Sequence, residues 1–203
     1  MKLSHILMKV ENLDHAVNAY REKGFVVEYG IAKNPYNALI YFSEGPYIEL
    51  IAGVNMPNAI KKFMRLLGKG YMVDLLDRIN NATPGEYCEL ALENYKDNLD
   101  MERAILKEHG VQSCGMPSRR NDTRGRKLRF RLAVPETPCI PFMMTYFNID
   151  PKPKNFVHPN GIRRVSRVTF RTDARYFDLI RALCDDKHLS LEEGRGIEVE
   201  FDG

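Results

Sequence analysis

The sequence predicts an α+β fold built from paired βαβββ modules that curve into an incomplete barrel, with a partial third module at the C-terminal end. Three observations carry this expectation. The hydrophobic period switches from strand to helix and back to three strands over residues 1–53. The same order returns over residues 85–160, after a helical connector at 54–84. A shorter strand, helix, strand, strand copy then fills residues 161–203.

In LSHILMKV (3–10), Ile6, Met8 and Val10 share one face and Leu3, His5, Leu7 and Lys9 the other, which is the period of a strand. The helix NLDHAVNAYREKG follows: Asn12 or Asp14 can cap it, Leu13, Val17 and Tyr20 lie on one side, and Gly24 stops it. FVVEYG (25–30), NALIYFSEG (37–45) and PYIELIAG (46–53) read as strands, the last two joined by the turn SEGP. Residues 57–81 read as two short amphipathic helices on either side of a Gly68 to Gly70 break. Ile60, Phe63, Met64 and Leu67, then Met72, Leu75, Leu76 and Ile79, are expected to dock on the core. Lys61, Lys62, Arg65 and Lys69 are then a solvated face rather than a membrane-facing one.

The second module runs GEYCELALEN (85–94), a helix closed by Gly110, then VQSCGMP, KLRFRLAV and PFMMTYFN. Setting KVENLD beside ALENYKDNLD matches Val10, Glu11 and Asn12 with Leu92, Glu93 and Asn94. PYIELIAG beside PFMMTYFN matches Glu49 with Met144. The third copy is VSRVTFRT, a helix with Phe177, Ile180 and Leu183 inward, HLSLEE and GIEVEFDG. Its open edge is expected to cap the two-module core or to pair with its counterpart in a homodimer.

Composition narrows the function. With 203 residues, 44% apolar and 28% charged, the chain has an ordinary globular make-up and needs no metal to fold. A net charge of +3 does not mark a nucleic-acid binder. SRRNDTRGRKLRFR (118–131) is strongly basic, but a polar hairpin accounts for it without nucleic acid as a partner. The cysteines at 88, 114, 139 and 184 form no C-x-x-C pair, the first residues lack a signal-peptide core, and no run is long enough to cross a membrane. A reducing cytoplasm is the expected compartment. P-loop, G-x-S-x-G, G-x-G-x-x-G and H-E-x-x-H motifs are absent. His15, His109 and His158 read as structural.

SHILMKVENLDHAVNAYREKGF and NALIYFSEGPYIELIAG place a histidine on a first strand and a glutamate on a fourth, and HPNGI precedes the third copy. In these stretches the chain resembles the glyoxalase-like branch of the vicinal oxygen chelate superfamily. The resemblance implies two modules enclosing a cavity, in which a divalent ion (Zn, Ni, Fe or Mn) sits on four side chains from the first and fourth strands. The implied chemistry is that of a lyase, isomerase or dioxygenase.

Carried over, His5 and Glu49 match metal-ligand positions, with Glu49 also the catalytic group. The second module offers Met144 and Tyr87 at the matching places, with Glu89 as a further possible ligand. The alternative is a non-catalytic small-molecule binder in which His5 and Glu49 are hydrogen-bonded in the cavity. Taking Leu128, Phe130 and Leu132 as the core-facing phase turns Arg129 and Arg131 into the cavity, where they would hold an anionic metabolite. A solvated sheet edge is the other reading of these arginines. Asn37, Tyr87 and Met144 complete the expected ligand-binding set.

Overall fold

A computed structural model describes residues 1–203. The elements run β1 (Lys2–Lys9), α1 (Leu13–Glu22), β2 (Glu28–Tyr29), β3 (Asn37–Ile40) and β4 (Tyr47–Ile51) in the first module. The connector holds α2 (Asn58–Leu66) and α3 (Gly70–Asn81). The second module comprises β5 (Tyr87–Asn94), α4 (Asp100–Glu108), β6 (Ser113–Asn121), β7 (Lys127–Pro135) and β8 (Phe142–Thr145). The third comprises β9 (Arg164–Thr172), α5 (Phe177–Leu183), β10 (Leu189–Glu193) and β11 (Gly196–Asp202).

Eight strands form one curled sheet in the order β2-β3-β4-β1-β5-β8-β7-β6. Each module lays its first strand parallel to its last, β1 on β4 and β5 on β8, and β1 and β5 join the modules antiparallel. The helix α1 begins as its sequence requires, with Asn12 Oδ1 accepting the His15 N–H at 3.0 Å, and it buries Leu13 and Val17. No helix is long and apolar enough to cross a membrane.

Period-two alternation gives the sheet two apolar faces. On the convex face Ile6, Ile48, Leu50, Leu90, Leu92 and Met143 pack against Leu13 and Val17 of α1, Leu106 of α4, and Val165, Val168 and Phe170 of β9. The third module is therefore a cap: β10-β9-β11 form a separate three-stranded sheet whose apolar residues close the convex core within this chain. On the concave face Leu7, Ile51, Ala91, Cys114, Val134 and Phe142 receive Met72, Leu75 and Ile79 of α3. Each such side chain contributes about 1.5–3 kcal/mol when fully buried, which holds α3 in the trough of the half-barrel.

The two connector helices differ from expectation. Only α3 docks as the spacing predicts. In α2 no residue is buried, and Ile60, Phe63, Leu66 and Leu67 are exposed, with Leu66 at 85%. The cause is charge pairing. Lys61 pairs with Asp77 and Arg65 with Asp74 of α3, so the basic stripe of α2 turns inward, leaving Met64 as its packed apolar side chain.

Candidate functional site

Between the roof made by α2 and α3 and the concave sheet lies a cavity of about 280 Å³. Its walls are mostly apolar, including Leu39, Ile51, Met72, Leu75, Phe142 and Met144. Polar groups gather at the β3–β4 end. Strand pairing sets Glu49 beside Leu39 of β3 and Leu7 of β1, and sets His5 beside Tyr47. His5 Nε2 and Glu49 Oε2 lie 3.4 Å apart, and Asn37 Nδ2 donates to Glu49 Oε1 at 2.7 Å. Gly30 makes room for this contact, since a Cβ there would overlap the Asn37 amide.

His5 is stacked on Tyr47 at 4.7 Å and meets the edge of Phe142. Burial pushes its pKa down to about 3, reinforced by the positive charges of Arg120 and Lys152, so the ring is neutral at physiological pH. Ser4 Oγ lies 2.9 Å from Nδ1 and donates to Met144 Sδ at 3.4 Å. Burial raises the Glu49 pKa, opposed by the Asn37 hydrogen bond and by Arg120.

Arg120 is the residue that sequence reasoning missed. It lines the cavity, donates to the Gly30 carbonyl at 2.7 Å and the Tyr41 hydroxyl at 2.9 Å, and lies over the Phe147 ring. No carboxylate stands within ion-pair distance of it in the folded chain. A signal was present in the hairpin. Arg120 is the cross-strand partner of Leu128, and Ser118 of Phe130, so the two strands share one phase on each face. The strand expected over VQSCGMP extends further, since β6 runs on to Asn121.

That same phase corrects the placement of Arg129 and Arg131. Phe130 and Leu132 line the cavity, whereas Arg129 and Arg131 are exposed on the convex face. The apolar phase of β7 faces the cavity here. The helix layer does not reach the distal hairpin, so the polar phase meets water.

The second-module counterparts also shift. In the parallel pairs, Leu7 stands beside Glu49 as Glu93 stands beside Met144, and His5 beside Tyr47 as Ala91 beside Phe142. The structural counterpart of His5 is thus Ala91, not Tyr87. Tyr87 pairs with Met8 and packs into the convex core, away from the cavity. Glu89 lies under α3, where Arg78 Nε donates to it at 2.7 Å, and it does not line the cavity. Met144 and Asn37 do line it. His158 is structural: it is buried among Phe25, Phe42 and Phe156, and its Nδ1 accepts the Val26 N–H.

The donor set can be tested against a divalent ion. Two of four implied positions carry donors, His5 and Glu49. The other two are Ala91 and Met144, and nowhere do three His, Cys, Asp or Glu side chains converge. A catalytic zinc site takes three protein ligands, so these residues do not fit a resident ion.

A curled two-module sheet enclosing a cavity with His on a first strand and Glu on a fourth defines a glyoxalase-type fold. The model of the glyoxalase-like domain family matches residues 3–183, and the chain belongs to that family. No curated protein matches. Among solved structures, the Mn(II)-bound glyoxalase from Novosphingobium aromaticivorans is similar in fold, with a TM-score of 0.50 and 11% identity, over 90% of this chain and 50% of that one. A xylose isomerase-like TIM barrel/4-hydroxyphenylpyruvate dioxygenase fusion protein aligns at a TM-score of 0.48 and 13% identity, over 100% of this chain and 36% of that one. The chain thus spans about half or less of these two structures.

Proposed function

We propose that this protein binds a small, largely apolar molecule with one anionic, oxygen-rich head in the cavity, using side chains rather than a resident metal. The observation that carries the reading is Arg120. It is a guanidinium lining an otherwise apolar pocket, with no carboxylate partner, at the same end as Asn37, Glu49 and His5. A guanidinium fork recognises a carboxylate or similar group, and the low dielectric around it strengthens that pairing. The apolar walls take the rest of the ligand.

Glu49 is the one carboxylate lining the cavity, and it can accept a proton from a bound ligand, with neutral His5 and Asn37 holding it in place. Lyase, isomerase or dioxygenase chemistry of the metal-assisted kind would need Zn, Ni, Fe or Mn on two protein donors, which hold such ions weakly. The four free thiols support action in a reducing cytoplasm.

The test is calorimetric titration with short straight-chain monocarboxylates and 2-oxo acids, in chelator and in Mn(II). Binding that is equal in both buffers, and weakened at least tenfold by Arg120→Gln, is expected. Affinity that appears only with Mn(II), or an Arg120→Gln variant that binds like the parent, would overturn the reading.

A further inference from the structure

The second module carries a basic groove on its convex side, next to the cavity, with Ser118, Phe130 and Phe147 lining both. β6 and β7 project past the helix layer, and their outward phase presents Arg119, Arg129 and Arg131, all exposed. Arg119 and Arg129 are direct cross-strand partners. Like charges in that position are destabilising, so nothing in the stability of the hairpin explains the placement. Nor are these charges spent on ion pairs. Arg124 and Arg126, in the turn of the same hairpin, are paired with Glu28 and Asp122, whereas none of the three outward arginines has a carboxylate within 4 Å.

They line a groove of about 690 Å³, well within the size range of small-molecule sites. Lys96 adds a fourth cation, and Asp97 is the one carboxylate in the lining. The far wall is aromatic. Tyr95, 70% exposed, lies 4.9 Å from Tyr146 and leaves a ring face open. Backbone anchors hold the two walls in register: the Arg129 N–H donates to Asn148 Oδ1 at 2.6 Å and the Arg131 N–H to Thr145 Oγ1 at 3.0 Å.

We propose that this groove binds a small organic phosphate that carries a planar ring, a mononucleotide-class ligand. The three guanidiniums take the phosphate oxygens and Tyr95 stacks on the ring. Forked guanidiniums match phosphate geometry, and an aromatic face adds affinity for any flat heterocycle.

The experiment titrates the full chain with ADP, ribose 5-phosphate, inorganic pyrophosphate and a twelve-nucleotide single strand, at low and at physiological salt. ADP is expected to bind more tightly than ribose 5-phosphate or pyrophosphate. The triple change Arg119→Ala, Arg129→Ala, Arg131→Ala should weaken ADP at least tenfold, and Tyr95→Ala should bring ADP to the level of pyrophosphate. The triple variant should melt no lower than the parent, since it relieves a like-charge pair. Should it fold poorly, Arg129→Lys with Arg131→Lys keeps the charge, loses the fork, and must still weaken ADP. His5→Phe, which alters the cavity at a residue that does not line the groove, should leave ADP binding unchanged. Absence of binding by every phosphate, or equal binding by the triple variant, would overturn the proposal. So would an oligonucleotide bound far more tightly than ADP, which would mark a nucleic-acid track.

Discussion

The buried imidazole of His5 makes a definite prediction about acid stability. Its pKa in the folded chain is about 3, against an ordinary 6.5. As pH falls below 6.5 the unfolded chain takes up the proton while the folded chain does not, so this group destabilises the fold progressively until about pH 3. Above 6.5 it has no such effect. At pH 5 the difference is about 2 kcal/mol, or about 4–8 °C in Tm for a chain of this size. Glu49, whose pKa burial raises, acts in the opposite sense, taking up its proton in the folded chain before the unfolded one, and it is present in parent and variant alike. His5→Phe keeps a ring between Tyr47 and Phe142 and removes the titration. Urea unfolding at pH 7 and pH 5 should show the parent losing about 2 kcal/mol more than the variant between the two. The buried His158 titrates in the same direction in both proteins, so it cancels in the comparison. Equal losses in parent and variant would refute the claim that His5 is held neutral by burial.

Three further outcomes follow from the geometry. Gly30→Ala should push the Asn37 amide off Glu49, lowering stability by about 1–3 kcal/mol in urea melts and weakening any cavity ligand, because Gly30 also accepts from Arg120. Met144→Glu places a carboxylate at the counterpart of Glu49 and supplies a third donor. The metal-free variant should melt below the parent, Mn(II) should restore it, and elemental analysis should find the ion; no response to Mn(II) would refute the register assigned to β8. Ile180→Ala, in the helix of the third module, should cost about 2–5 kcal/mol by thermal or urea melting, as expected if that module closes the main core.

Much of the fold was legible because the period of the apolar residues changes cleanly between strands and helices. LSHILMKV alternates from His5 onward, with Ile6 and Val10 in the convex core and His5 and Leu7 lining the cavity, whereas Leu3, expected on the His5 face, joins the convex core across the irregularity at Leu3/His5. The same rule failed on KLRFRLAV. An apolar phase identifies the face turned from bulk solvent without saying whether helices or a cavity lie on it, and Phe130 and Leu132 line the cavity. Matching ENYKDNLD to ENLD sets Tyr87 opposite His5, four residues out of register with the strand pairs. The β1–β5 ladder has irregularities at Leu3/His5 and Leu7/Met8 that no sequence pattern announces. In α2 the apolar stripe was plain, but two aspartates in the next helix decide which side turns inward.

Period two also explains how one basic hairpin serves two surfaces. Neighbours in sequence, Arg119 and Arg120 point to opposite faces of β6: one meets water beside Arg129, the other meets Tyr41 and the cavity. On the central strands α1, α4 and the third sheet cover the convex face and α3 covers part of the concave face, so there only the stretch of trough that α3 leaves free, lined by His5, Phe142 and Met144, can meet a ligand. The remaining ligand-facing side chains lie on β3, β4 and the distal β6–β7 hairpin. A slip of one residue in β7 would turn its other phase inward, burying the unpaired Arg129 and Arg131 and exposing Phe130 and Leu132. The cost of that exchange is what holds both sites in place.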